Sequence, residues 1–148
     1  MVRPLRVGDF DQLYVVAADS LVWEQHPDRE RWREHVFRAY FDDHLASGGA
    51  LTVVDRATGK SIGATRYDNH DAAANEVEIG WTFLARPYWG GAYNADLKRV
   101  MLEHAFQSVE TVVFLIDPRN LRSRRAVEKI GAVAAGTRRG MMLYTIHR

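Results

Sequence analysis

The hydrophobic positions of the chain change period several times, and each change marks an element. Residues 1–6 alternate loosely and read as a short first strand. Asp9 or Asp11 suits the cap of a helix reaching about residue 19, with Leu13, Val16 and Ala17 on one face. A second helix is signalled by Pro27 in its first turn, by Asp28 and Glu30 at its positive end, and by two rows at helical spacing. These rows are Trp32, Val36, Tyr40 and Phe37, Phe41, Leu45, and Gly48 with Gly49 stops the helix. Residues 50–55 and 61–67 read as strands flanking a hairpin turn over 56–60. Residues 69–75 are a polar loop. Glu76–Leu84 returns to period two, with Val77, Ile79, Trp81 and Phe83 on one face and Glu78, Gly80 and Thr82 on the other. Gly80 in mid-strand points to a bulge or a close backbone approach.

Past the Gly90-Gly91 pair a third helix starts, with Leu97, Val100, Met101, His104 and Ala105 on one side. Residues 112–116 are an unbroken apolar run, the mark of a strand buried on both faces. Residues 117–120 turn into a fourth helix that ends near Ile130 and Gly131, and short strands around 132–135 and 141–146 follow. The order βααβββαβαββ defines an α/β (α+β) chain, a mixed sheet with helices on both faces and one domain over 1–148. The step from strand through Gly-rich turn to helix at 76–106 is its most informative joint.

Composition narrows the function. A chain of 148 residues, 47% hydrophobic and 26% charged, is an ordinary globular domain that needs no covalent staples. The absence of cysteine excludes a disulfide framework, a thiolate nucleophile and a Cys-ligated metal, and fits a reducing compartment. Residues 1–10 lack the apolar stretch of a signal peptide, and no run approaches the roughly 20 apolar residues that span a bilayer. A cytoplasmic protein without a membrane partner is therefore expected. The net charge of +1 argues against a generic nucleic-acid binder. Its distribution is uneven: residues 1–110 hold 12 Lys+Arg against 17 Asp+Glu, and residues 111–148 hold 8 against 2. The oligomeric state is not fixed by the sequence, and a homodimer is compatible with it.

Gly59-Lys60-Ser61 suggests a phosphate loop, but Val54 stands where that motif needs glycine, so the segment reads as the hairpin turn. The six histidines form no i,i+4 pair, and no metal is expected. Gly90 and Gly91, between strand and helix, would let backbone approach a ligand and would offer helix-start N–H groups to phosphate; a plain tight turn explains them too. The run from Arg119 to Arg125 reads either as a solvated helix face or as an anion site, with Asn120 suited to the N-cap in both cases. Glu76 and Glu78 are candidate general bases, with an exposed strand face as the simpler explanation.

Three stretches coincide: Glu78-Ile79-Gly80-Trp81; Trp89-Gly90-Gly91-Ala92-Tyr93-Asn94; and Asn120-Leu121-Arg122-Ser123 through Glu128-Lys129-Ile130-Gly131-Ala132. Together they resemble the GNAT superfamily of N-acetyltransferases, and most closely its RimJ/RimL type. The resemblance implies a three-layer fold whose sheet splays between the fourth and fifth strands, and acetyl-CoA as co-substrate for direct acetyl transfer to an amine. Under it, Trp81, Thr82 and Phe83 are cofactor-binding, with a backbone N–H near Trp81 or Thr82 facing the oxyanion. Trp89, Gly90, Gly91, Ala92, Tyr93 and Asn94 form the pyrophosphate loop, and Asn120, Arg122 and Arg125 complete the cofactor side. Trp89, Ala92 and Asn94 depart from the family's Q/R-x-x-G-x-G/A pattern. Many members carry a Tyr acid where this chain has Val127; the RimJ/RimL likeness instead assigns Ser123 to the departing thiolate and Glu78 to the base. Trp23 and His26 are candidates for the acceptor side, with a core or capping role as the equal alternative, and Glu76 is a further acceptor-side candidate. The departures at Ala92 and Val127, with only 17 residues after Gly131, leave a second reading: a catalytically silent acyl-CoA-binding or regulatory module.

Overall fold

The computed structural model describes residues 1–148. The strands and helices follow the predicted order: β1 (Val2–Pro4), α1 (Phe10–Ala17), α2 (Glu34–Ser47), β2 (Ala50–Val54), β3 (Ser61–Asp71), β4 (Glu76–Leu84), α3 (Tyr93–Ala105), β5 (Thr111–Ile116), α4 (Leu121–Lys129), β6 (Val133–Arg138) and β7 (Met141–His147). The sheet runs β1-β2-β3-β4-β5-β7-β6. β4 pairs with β5 in parallel, whereas β1–β2, β2–β3, β5–β7 and β6–β7 are antiparallel. No helix is long and apolar enough to cross a membrane. The chain divides into two compact units, residues 1–66 with 81–89, and residues 67–80 with 90–148.

The first unit is built on aromatic packing. The inward rows of α1 and α2 bring Phe10, Leu13, Ala17, Phe37 and Phe41 into one cluster with Trp23, Ala64 and Phe83. Phe10 meets Phe41 edge-on at 5.2 Å, and Trp23 lies 5.0 Å from Phe83. Large rings carry most of the burial energy here because each removes a wide apolar area from water. α2 begins later than its sequence suggests. Asp28 accepts from the Glu30 N–H and closes a separate 3-10 turn over Arg29–Trp32. Arg33 is then extended, at φ −75° and ψ 133°, so a helix cannot run through it from Pro27. Asp9 does not cap α1 with its side chain. It takes the Arg3 guanidinium through both oxygens, at 2.7 and 2.9 Å, and the Arg6 N–H at 2.8 Å. Burial pushes the Asp9 carboxyl up, and those bonds and charges outweigh it, leaving its pKa below the ordinary value.

The second unit is organised by β5, whose Val112, Val113, Phe114 and Ile116 are all buried, as the apolar run requires. β3 continues to Asp71, so the polar residues 69–71 are strand rather than loop, and the turn shrinks to 72–75. α3 presents Leu97, Lys98, Met101 and Ala105 to the interior, while Val100 and His104 are exposed. Lys98 stands three and seven residues before Met101 and Ala105, so helical geometry turns it inward; its polarity concealed this.

Among the glycines, Gly63 has the least room for a side chain. A Cβ there would stand 2.1 Å from the Phe83 carbonyl oxygen and 2.8 Å from a Leu84 methyl. Gly63→Ala is expected to destabilise the fold by about 2 kcal/mol or more, since the obstructing atom is backbone. Urea unfolding measures it, and a change within about 0.5 kcal/mol contradicts the packing.

Burial lowers the Lys98 ammonium from its ordinary 10.5 to about 7. Below pH 7 both folded and unfolded chains hold this proton, and the folded chain carries the whole cost of the buried charge. As pH rises from 7 toward 10.5 only the unfolded chain keeps it, so the cost fades. Lys98→Met is expected to stabilise the protein most at or below pH 7, with the gap narrowing as pH rises. A gap independent of pH contradicts a buried, desolvated ammonium.

Candidate active site

In the second unit the parallel ladder between β4 and β5 is short. Glu76 faces Thr111, Val77 faces Val112, Glu78 faces Val113, and there the pairing stops. β5 runs on to Ile116 and stays paired with β7 on its other side. Its β4-facing edge beyond Val113 thus presents backbone N–H and C=O groups without a strand, and an extended amide-bearing ligand can use such an edge.

Glu78 sits at the last paired position and is 6% exposed, which corrects its reading as part of an exposed strand face. Its Oε1 accepts from Asn69 Nδ2 at 2.9 Å. Its Oε2 lies 3.5 Å from where a Cβ on Gly80 would stand, so glycine there keeps the space over the carboxylate free of a side chain. Glu76 is committed elsewhere, to Arg138 at 2.8 Å.

The loop before α3 has Gly90 at φ +73°, a left-handed conformation that glycine adopts without strain, with open space where a side chain would be. Gly91 has only the Tyr93 ring near its missing Cβ, at 3.9 Å. Ala92 holds the N-cap position and no side chain caps the helix; Tyr93 and Asn94 begin it. The first N–H groups of a helix have no partner within it, and the dipole favours an anion there. An open glycine turn leading into an uncapped helix start fits the pyrophosphate of a CoA-type ligand.

On α4, the buried Asn120 accepts from the Ser123 N–H at 3.2 Å and so caps the helix. Ser123 is half-buried in the first turn, and its hydroxyl has no hydrogen-bond partner in the chain. Arg124 turns to the Tyr144 hydroxyl and the Pro118 carbonyl, and Arg119 to Asp117. Arg122 is half-buried and Arg125 is exposed.

In the first unit the irregular point of β4 is Trp81 rather than Gly80. Trp81 has φ +53°, a left-handed conformation that costs a bulky residue roughly 1–2 kcal/mol. Its carbonyl accepts from the Tyr40 hydroxyl at 2.8 Å. Arg66 lies over its ring at 4.2 Å and is paired with Asp43 at 2.9 Å. The next residue, Thr82, shares a 2.9 Å hydroxyl contact with Thr65, and Phe83 is buried in the aromatic core. Trp89 packs against that core and donates to the Leu84 carbonyl at 2.9 Å. Burial keeps the Tyr40 phenol protonated far above its ordinary range, against the pull of Arg31 and Arg66, so it remains a donor.

Of the two roles open to Trp23, its surroundings are those of a core residue: it has no exposed surface and its indole donates to the Ala17 carbonyl at 2.8 Å. His26 is half-buried, edge-on to Trp23 and 3.2 Å from Arg31 Nη1 through its Nδ1. Sequence reasoning missed Tyr40, His44, Arg66 and Asn69; the partners of Tyr40 and Arg66 lie far along the chain, whereas His44 meets Tyr40 one helical turn away and Asn69 meets Glu78 nine residues on. For Tyr40, 41 residues separate donor and acceptor, and no local motif encodes that contact.

Comparison with known proteins follows the same lines. The family described as the acetyltransferase (GNAT) domain matches residues 1–133. The chain belongs to this family of acetyltransferases. The fold resembles the GNAT-family acetyltransferase of Bacillus anthracis, with a TM-score of 0.79, 17% identity, and 99% of this chain and 93% of that chain covered. It also resembles spermidine N-acetyltransferase of Vibrio cholerae, solved with CoA and spermine, at TM-score 0.74, 14% identity and coverage of 99% and 94%. Mycobacterium smegmatis RimJ, solved with CoA-disulfide, gives TM-score 0.74, 18% identity and coverage of 99% and 80%. No curated protein sequence is a significant match.

The Asn120 cap yields a direct test. Asn120→Ala is expected to cost about 1 kcal/mol, and Asn120→Asp, which keeps the acceptor, to cost much less. Chemical unfolding measures both, and equal losses would contradict a capping role.

Proposed function

We propose that the protein is an N-acetyltransferase that moves an acetyl group from acetyl-CoA to a primary amine, directly and within a ternary complex. The amine belongs to a protein N-terminus or a small molecule. The observation that carries this reading is the end of the β4–β5 ladder at a buried, hydrogen-bonded Glu78, in a chain of the GNAT family. The relatives solved with CoA, and in one case with spermine, support an acyl-CoA donor and an amine acceptor. Asn120-Leu121-Arg122-Ser123 and the likeness to RimJ favour the RimJ/RimL branch.

The chemistry assigns roles to the chain's own groups. When bound, acetyl-CoA supplies an acyl group already activated as a thioester. The β5 edge beyond Val113 aligns its amide-bearing arm. The turn at Gly90 and Gly91, with Ala92, Tyr93 and Asn94 at the start of α3, receives the phosphates, and Arg122 and Arg125 add charge. Glu78 takes the amine proton, directly or through water, and Asn69 fixes its orientation. A backbone N–H at Trp81 or Thr82 faces the acyl oxygen as negative charge develops there. Ser123, whose hydroxyl is not spent inside the chain, donates to the departing sulfur.

A silent acyl-CoA-binding module is the second reading, favoured by Ala92 and by the buried Val127 where many relatives place an acid. The readings separate in two measurements. Acetyl-CoA at about 100 times its Kd is expected to raise Tm by roughly 5–10 °C under either reading, and no shift at millimolar cofactor overturns both. Ser123→Ala is expected to lower kcat about 10- to 100-fold while leaving the acetyl-CoA Kd within about twofold. An unchanged kcat removes Ser123 from the reaction.

A further inference from the structure

Trp81 poses a physical question: what holds a bulky indole-bearing residue in a left-handed conformation in the middle of a strand? The contacts on its carbonyl answer it. The Tyr40 hydroxyl donates its proton to that carbonyl at 2.8 Å, and it is also 3.3 Å from His44 Nε2. Because the hydroxyl proton is already directed at the carbonyl, the imidazole contact is made with Nε2–H donating. His44 is itself buried, its ring stands 4.5 Å from the Tyr40 ring, and both project from one face of α2. α2 is anchored in the aromatic core by Phe37 and Phe41. Asp43, on the same helix, holds Arg66, whose guanidinium covers the Trp81 ring. α2 therefore grips both the carbonyl and the side chain of one strained residue.

A carbonyl fixed on one side of the 81–82 peptide fixes the Thr82 N–H on the other, since the peptide unit is planar. We infer that Tyr40, supported by His44, is a positioning residue: it clamps the Trp81 carbonyl so that the left-handed turn holds the neighbouring N–H toward the acyl oxygen. The inference rests on the proposed acetyl transfer for its catalytic consequence and on contacts of the first unit alone for the clamp. Preorganised donors act without reorganisation during the reaction, which is why a strained peptide is worth keeping at such a point.

Tyr40→Phe deletes one oxygen and keeps the ring contacts, and Trp81→Gly removes the steric reason for a clamp. In the full chain, hydrogen exchange at the amides of residues 81–83 is expected to rise about fivefold or more in Tyr40→Phe. In the Trp81→Gly background the same change should raise it less than about twofold. In turnover, Tyr40→Phe is expected to reduce kcat by roughly 10- to 100-fold with the acetyl-CoA KM within about twofold, and to cost far less when residue 81 is glycine. Unchanged exchange at 81–83, or an equal kcat loss in both backgrounds, overturns the inference. If the unaltered protein acetylates no amine, the acetyltransferase reading falls while the exchange comparison still decides the clamp.

Discussion

The brevity of the β4–β5 ladder is the constraint on which the candidate site depends. Three residue pairs join the strands in parallel, and the last of them contains Glu78. A parallel ladder that ends while β5 continues leaves main-chain groups without partners, and an unpaired backbone edge is tolerated only where water or a ligand satisfies it. The same point places a buried carboxylate, held by Asn69, beside the glycine that leaves room over it. Three residues further along, β4 contains its one left-handed residue, Trp81.

Strain at such a place persists only if its surroundings over-determine it. The first unit supplies that through an aromatic core. Phe37 and Phe41 seat α2, and α2 then delivers Tyr40 to the Trp81 carbonyl and Asp43 to the arginine over its ring. In the second unit the fixed frame is β5, buried along most of its length and paired with β7 throughout. Asn120 caps α4 and thereby orders the turn carrying Ser123. The residues proposed for chemistry stand on regular elements or their first turns, where packing limits their motion.

The element order and the mixed sheet were legible in the sequence because they are written in short-range periodicity. The apolar run of β5, the extent of β4 and the cap at Asn120 all survive in the structure, whereas the alternation of β4 does not: Glu78 is buried between Val77 and Ile79, and Trp81 is left-handed. What was illegible has physical causes. A charged side chain reads as exposed, so periodicity misjudged Glu78 and Lys98, which are buried through long-range packing and helix geometry. The polar end of β3 looked like a loop because half of its sheet stretch is solvated. Asp28 and Pro27 carry helix-start chemistry, yet they serve a separate turn that Arg33 ends. Tyr40 and Arg66 gain their meaning only from partners brought together by the fold. The uneven charge along the chain partly dissolves on inspection, because Arg119, Arg124 and Arg138 are engaged with protein groups.

The central claim is that this chain transfers an acetyl group, and not merely that it binds the donor. Release of free CoA thiol from acetyl-CoA across a panel of amines tests it most directly, with peptides of free N-terminus, polyamines and amino-acid amines represented. The account predicts amine-dependent thiol release matched by acetylated product, from at least one class. Saturable acetyl-CoA binding with no thiol released above the protein-free rate for any amine would contradict it.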